Sequence, residues 1–296
     1  MLAALPPAIV VPAPESAPSL EAGFVLARFA ARTAAKPAET LSGSGGVDGK
    51  LSAIDAIHAR IPTEHKPQQI AALDELIAAA SSKTQPFEVR AKALTYLGYA
   101  MPQVPDDAAR SRALTVLLAA LSEPAYRVHA LRGLGPACHG LPKADEARYQ
   151  AALLDLLDGP LGGTERQTAL VDLFSFTSTR DDLPQRAPAL VAQLDARMLA
   201  PLEANPAAFA ADPRLTPGAR ELTAAVLWTS ARHQSALGNP AALARLNALL
   251  DRLLAVERDP EVRGWLKTYR DAAPPEPVAG LRDSTTKRDP AGPDAP

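Results

Sequence analysis

Residues 123–135 read EPAYRVHALRGLG, and their internal spacing decides the fold because it returns along the chain. Counted from Arg127, an Ala-Leu pair follows at positions three and four, and a Leu-Gly pair at positions seven and eight. Units that recur every 40 residues or so are typical of stacked-repeat proteins. The arginines that start a copy, called the frame arginines below, are Arg90, Arg127, Arg166, Arg220 and Arg263.

A second pattern, leucine or isoleucine at i, i+3 and i+4, precedes most copies, as at Leu114, Leu117 and Leu118. This spacing places the side chains on one face of a helix, so each repeat is predicted to hold two helices. A weak copy of the frame at Lys50 predicts a lone helix over 50–60. The predicted antiparallel pairs are 67–82 with 86–101, 107–121 with 124–138, 145–158 with 164–177, 183–204 with 217–236, and 240–257 with 260–271.

The turns between these segments support the division into helices. Asp259-Pro260, Thr216-Pro217 and Asn239-Pro240 each join a cap-forming side chain to a proline suited to the first helical position. Residues 201–216, PLEANPAAFAADPRLT, lengthen one repeat and are predicted to be an insertion that Phe209 packs down.

Composition agrees with an all-α protein. Apolar residues make up 47% of the chain, mostly alanine and leucine, whereas aromatic residues reach only 4%. A two-helix unit with apolar stripes on both helices must bury them against a neighbour. We therefore expect an α-solenoid of about five antiparallel helix pairs with an extra N-terminal helix, flanked by disordered tails.

The predicted domains are a Pro/Ala-rich, mostly disordered segment over 1–48, a solenoid over 49–272 and a disordered tail over 273–296. Within the first, residues 20–35 resemble a short helix whose phenylalanines dock or bind. The apolar start lacks the basic region of a secretory signal, so we expect a cytoplasmic protein. Export is the alternative, if that start is the remnant of a signal peptide.

The repeat resembles the HEAT family, whose units pair two helices and open the second with a proline and a Val-Arg signature. QPFEVRAKALTYLG at 85–98 and DPEVRGWLKTY at 259–269 are similar to that signature, and 123–135 follows it with one residue fewer before the arginine. The resemblance covers about 49–272 and implies an architecture rather than an activity. Armadillo repeats and the bacterial lyase-like branch of HEAT proteins fit the same pattern.

The sequence offers little for catalysis, and we predict no enzyme activity, cofactor or metal. HEAT-type di-iron hydroxylases carry His-Glu pairs, and no His-Glu dipeptide occurs in this chain. GPLGG at 159–163 lacks the Gly-Lys-Ser/Thr of a phosphate loop. A net charge of −2 disfavours nucleic acid, and no apolar run is long enough for a membrane span.

Two sets of residues remain as candidates. We interpret the frame arginines as a structural ladder whose guanidinium groups reach carbonyls or acidic turn residues of an adjacent repeat. Positions two, five, six and nine after each arginine are predicted to avoid the core and to bind a partner. These residues are Lys92, Tyr96, Tyr99, His129, Arg132, Asp172, Trp265 and Tyr269. For Tyr96, Trp265 and Tyr269, packing between repeats is the alternative.

Taken together, the sequence favours a non-enzymatic scaffold or adaptor that holds a protein or peptide on the concave face of a solenoid. The alternative is a lyase-like or chaperone-like HEAT protein that acts on a cofactor-bearing protein. The sequence leaves the oligomeric state open.

Overall fold

The computed structural model describes residues 41, 43, 46–179, 182–213 and 215–275. Within these ranges the chain is all-α, with no β-strand. The predicted disordered segments over 1–48 and 273–296 lie largely outside the described residues. The helices are α1 (Val47–Arg60), α2 (Lys66–Ser81), α3 (Phe87–Ala100), α4 (Asp107–Ala120), α5 (Arg127–Ala137), α6 (Glu146–Asp158), α7 (Gly163–Ser178), α8 (Leu183–Arg186), α9 (Pro188–Leu194), α10 (Ala200–Ala204), α11 (Pro206–Ala211), α12 (Pro217–Ala236), α13 (Pro240–Val256) and α14 (Pro260–Asp271).

The helices form two rows that follow the order of the chain. In the second-helix row, α1, α3, α5, α7, α12 and α14 each pack against the next. In the first-helix row, α2 packs on α4, α4 on α6, and α6 on α9, while α13 packs on α11. Each first helix also contacts the second helix of its own pair, as α2 contacts α3. The helix pairs therefore stack side by side in chain order.

The apolar pattern of the sequence supplies the core between the rows. The frame positions Ala130, Leu131 and Leu134 of α5 are fully buried, as are Leu114 and Leu117 of α4. Helix bounds agree with the sequence predictions to within three residues, apart from the first helix of the fourth pair. This agreement follows from the local origin of the pattern, since a stripe at i, i+3 and i+4 fixes both the helix and its buried face.

Most predicted caps are present. The Asp259 carboxylate accepts hydrogen bonds from the backbone N–H groups of Glu261 and Val262 at 3.0 and 3.2 Å. The Thr216 hydroxyl accepts from the N–H of Ala219 at 3.1 Å. The prediction for Asn239 is wrong, because its side-chain amide donates to Gln234 Oε1 at 3.3 Å and makes no cap bond.

The first helix of the fourth pair departs from the predicted single helix over 183–204. It breaks at Ala187, whose φ of −137° and ψ of 59° are not helical, because the ring of Pro188 disfavours the α conformation in the residue before it. Residues Asp195–Leu199 form a π-helical turn that ends two residues before Pro201. Pro201 has no N–H to donate to the carbonyl one turn back, which loosens the regular helix at this point. The predicted insertion contains a short helix, α11, whose Phe209 is buried.

Candidate functional site

The frame arginines tie each second helix to its surroundings. Arg90 donates from Nε to the Ala80 carbonyl at 2.7 Å and from both terminal nitrogens to the Glu123 carboxylate at 2.6 Å. Its guanidinium also lies 4.1 Å from the centre of the Tyr126 ring. These bonds join the end of α2, the start of α3 and the turn before α5. The hydrogen bond from Arg90 lowers the pKa of Glu123 below its ordinary value.

The other frame arginines make contacts of the same kind. Each donates to a carbonyl near the end of the segment that precedes its helix, and three of the five also face an acidic side chain of the following repeat or turn. The partners are Leu121 and Glu165 for Arg127, Leu157 and Gly159 for Arg166, Leu215 and Glu257 for Arg220, and Leu254 and Glu257 for Arg263. With their donors engaged in this way, the guanidinium groups hold the helix pairs together.

At four of the five junctions in the second-helix row, the neighbouring helices meet in the same register, which we call the seam. Position eight of one helix, counted from the frame residue, lies against position six of the next. Gly98 of α3 meets Gly133 of α5 so closely that a Cβ on Gly98 would lie 1.8 Å from the Gly133 carbonyl oxygen. The seam pairs are His58 with Tyr96, Gly98 with Gly133, Gly135 with Asp172, and Trp228 with Tyr269.

This seam contains three of the residues predicted to face a partner. Tyr96 stacks against His58 at 4.8 Å between ring centres, and its burial raises its pKa to about 12. The ring centres of Tyr269 and Trp228 lie 5.3 Å apart. The indole N–H of Trp228 donates to the backbone carbonyl of Tyr269 at 3.0 Å. The alternative that Tyr96 and Tyr269 pack between repeats is therefore confirmed, and the prediction that they avoid the core is wrong. Each second helix is flanked by two others, and position six faces the earlier one.

Asp172 is the clearest correction to the predicted partner face. Its side chain is buried, with 3% of the residue exposed. Asp172 stands at position six of α7, as Gly133 does in α5. A Cβ added to Gly135 would lie 2.7 Å from Asp172 Oδ1. Oδ2 has no hydrogen-bond partner in the described structure, and burial raises the pKa of the carboxyl well above its usual range. Asp172 is thus part of the core at the seam of α5 and α7.

Three further predicted residues are partly covered. Lys92 Nζ forms an ion pair with Asp55 at 2.6 Å and donates to the Leu51 carbonyl at 3.2 Å. Trp265 is half-buried and stacks on Tyr269 at 6.4 Å. His129 is half-buried as well, and burial, followed by the charge of Arg132, lowers its pKa. Contacts within the chain cover part of each of these side chains, so they offer limited surface to a partner.

The remaining two predicted residues are exposed and share a stripe with one that the sequence analysis missed. Tyr99 of α3 is 50% exposed, Val171 of α7 is 42% exposed, and Arg132 of α5 is exposed between them in the helix row. Arg132 and Val171 both stand five positions after their frame arginine, and Tyr99 stands one turn further, at position nine. We call Tyr99, Arg132 and Val171 the central patch. Val171 could have been predicted, because position five after a frame arginine was among those expected to avoid the core.

A second group of rings, of which Phe87 is exposed and two are half-buried, lies at the starts of α3 and α5. Phe87, the first residue of α3, is 45% exposed. Its ring centre lies 5.1 Å from that of Tyr126 and 5.8 Å from that of His129. We call Phe87, Tyr126 and His129 the aromatic cluster. The sequence analysis missed Phe87 because this residue precedes the frame arginine, outside the positions that were counted.

The first-helix row presents a different surface, on which charged side chains link one repeat to the next. Arg112 of α4 pairs with Asp74 of α2 at 2.8 Å. Arg197 of the π-helical turn pairs with Asp155 of α6 at 2.7 Å. Arg245 of α13 continues the series towards the π-helical turn and α10. The exposed cations of this row are thus largely engaged with acidic groups of a neighbouring repeat.

A cleft opens where the insertion packs against the third helix pair. It encloses about 280 Å³. Its walls are mostly apolar, including Leu154, Met198 and Phe209, and Arg166 and Arg197 lie among them. Both arginines already bond to α6 or to the turn after it. The cleft therefore fits an uncharged side chain better than an anionic group.

Neither a metal centre nor a membrane span emerges from the part of the chain that the structure describes. No three His, Cys, Asp or Glu side chains there are grouped so as to hold a metal ion, and no helix has the length and hydropathy to cross a bilayer. Comparison with protein-family models, with curated proteins and with solved structures finds no significant match. The resemblance to HEAT repeats therefore stays a prediction from the sequence.

Proposed function

We propose that the chain is a HEAT-type α-solenoid that acts as a non-enzymatic scaffold, binding a protein or peptide partner on its second-helix row. One observation carries the proposal. Large apolar side chains exposed in the described part of the chain lie on the second-helix row, at Val47 of α1, Phe87 and Tyr99 of α3, and Val171 of α7. Exposed apolar groups gathered on one face mark an interaction surface more often than scattered ones do.

The central patch supports a protein partner in particular. Tyrosine and arginine are the residue types that most often supply binding energy at protein interfaces. Arg132 is exposed and has no ion-pair partner among the residues that the structure describes. Its neighbours in the patch are apolar or aromatic. A partner that inserts an apolar side chain beside an acidic one would match both features.

The charges of the first-helix row disfavour it as the binding face. Its exposed charges are paired across the repeats, as in Arg112 with Asp74 and Arg245 with Glu203. A partner that used them would have to break these pairs. We therefore assign binding to the second-helix row, with the cytoplasm as the proposed compartment and export as the alternative.

The proposal is tested by serine substitutions of the whole central patch, Tyr99→Ser, Arg132→Ser and Val171→Ser. All three side chains are exposed, so the helical circular dichroism and the unfolding midpoint should change little. Proteins that copurify with the wild-type chain from its native cells should be depleted at least tenfold with this variant, which corresponds to about 1.4 kcal/mol of binding free energy.

A matched control places three serines on exposed positions of the first-helix row, Ala71→Ser, Thr115→Ser and Ala119→Ser. The control should retain the wild-type partners in quantitative mass spectrometry. Equal retention by the patch variant and the control would contradict the assignment of binding to the second-helix row.

A further inference from the structure

The aromatic cluster is an apolar surface at the N-terminal ends of α3 and α5 in the second-helix row. Phe87 lies in the first turn of α3, and its ring contacts those of Tyr126 and His129 at the start of α5. Arg90 fixes Tyr126 from below at 4.1 Å while it binds Glu123. The cluster is therefore preorganised, and 45% of Phe87 stays exposed within the described structure.

The chain enters the described structure beside the start of α3, the helix that carries Phe87. Leu41 is 6% exposed and belongs to the apolar core. Its carbonyl accepts a hydrogen bond from Gln85 Nε2 at 2.7 Å, and Lys50 Nζ donates to Gln85 Oε1 at 3.1 Å. Gln85 stands two residues before Phe87. Whatever precedes Leu41 therefore begins next to the start of α3.

The sequence before Leu41 contains an apolar segment of suitable length. Residues 20–35 read LEAGFVLARFAARTAA and carry Phe24, Leu26 and Phe29. Only residues 36–40 separate this segment from Leu41, and a linker of this size spans up to about 17 Å when extended. A segment tethered so closely has an effective concentration in the millimolar range, well above that of a second copy in solution.

We propose that residues 20–35 dock on the aromatic cluster of the same chain, where Phe24, Leu26 and Phe29 cover Phe87. The docked segment covers the N-terminal ends of α3 and α5 and removes this apolar surface from solvent. This inference does not rest on the proposed function, because its occupant belongs to the same chain. It removes Phe87 from the surface open to a partner and leaves Tyr99 and Val171 of the central patch exposed.

The first test is photo-cross-linking in the full-length protein. The variant Phe87→benzoylphenylalanine should yield intramolecular cross-links to residues 20–35 in the monomer, identified by mass spectrometry. The control Tyr99→benzoylphenylalanine carries the probe at another exposed site of α3, about 18 Å further along the helix axis. Cross-links to residues 20–35 should be at least fivefold weaker from this control. Cross-links from position 87 to a second copy, or equal yields from both probes, would overturn the proposal.

The second test leaves the photoprobe out. Amide hydrogen exchange of residues 20–35 in the full-length wild-type chain should be at least tenfold slower than in Phe87→Ser. The exposed substitution Tyr99→Ser should leave this exchange at the wild-type rate. Exchange that is equally fast in all three proteins would show that the segment does not dock on Phe87, whatever a partner does at the central patch.

Discussion

At the scale of single residues, the seam explains why some frame positions take small side chains and others take aromatic ones. Where Gly98 meets Gly133, the backbones of α3 and α5 approach too closely for a Cβ. Where Trp228 meets Tyr269, two rings fill the same junction. The register is the same at these two junctions, but the distance between the helices varies with the pair of side chains that fills the junction.

The glycine contact predicts a large effect of one methyl group. Gly98→Ala would place its Cβ 1.8 Å from the Gly133 carbonyl oxygen, so α3 and α5 must separate. We expect a loss of about 3 kcal/mol in the free energy of unfolding. Gly264→Ala is the control, since a Cβ on this exposed helical residue meets nothing within 4 Å, and it should gain about 0.5–1 kcal/mol. Urea titrations that gave similar values for both variants would refute the close approach.

Asp172 predicts a specific pH dependence. Burial raises its pKa, so the native state holds the proton to a higher pH than the unfolded chain. Its contribution to stability is therefore fully present below about pH 3.9, the ordinary pKa of aspartate, and is lost as the pH rises through the raised native pKa. Gly135 lies against the carboxyl, whereas the Tyr149 hydroxyl donates to the backbone carbonyl of Asp172. Burial is the cause of the shift.

Asp172→Asn should remove this dependence. Relative to wild type, its free energy of unfolding should rise as the pH increases above about 4 and should level off once the pH passes the raised native pKa of Asp172. Asp155→Asn removes an aspartate at an exposed site of the first-helix row and controls for net charge. Denaturant titrations across this pH range in which Asp172→Asn tracks the wild type would mean that the carboxyl is ionised without cost in the native state.

At the scale of helices, stability depends on links between repeats, and those links differ between the two rows. The second-helix row is joined by buried contacts, whereas exposed ion pairs join much of the first-helix row. Arg90 shows the first kind, with a side chain 8% exposed, and Arg112 shows the second, with 49% exposed. Exposed ion pairs contribute little, while removing one partner of a buried network leaves polar groups unsatisfied.

The two rows should therefore respond differently to loss of an arginine. Arg90→Ala leaves the Ala80 carbonyl and the Glu123 carboxylate without their donor, and should lower the free energy of unfolding by about 2–3 kcal/mol. Arg112→Ala breaks only the exposed pair with Asp74, and should cost less than about 1 kcal/mol. Chemical denaturation at 25 °C compares them. Equal losses in the free energy of unfolding would show that buried and exposed arginine contacts stabilise the repeats to the same extent.

At the scale of the whole molecule, the sequence predicted the helices well and their lateral neighbours poorly. Helix bounds follow from periodicity within one segment, so α12 and α14 match the prediction at both ends. The free and covered faces depend on where the next repeat sits, which no single helix encodes. For that reason Asp172 was assigned to a partner face and Tyr96 was left open between a partner face and packing between repeats, although both lie on the seam.

The central claim is that successive second helices lie side by side in one register from α1 to α14. Nuclear Overhauser spectroscopy on selectively labelled aromatic rings tests it at both ends of the row, where ring centres lie 4.8 Å apart for His58 and Tyr96 and 5.3 Å apart for Trp228 and Tyr269. The register predicts cross-peaks between the ring protons of both pairs. Absence of both cross-peaks in a folded, helical sample would contradict it.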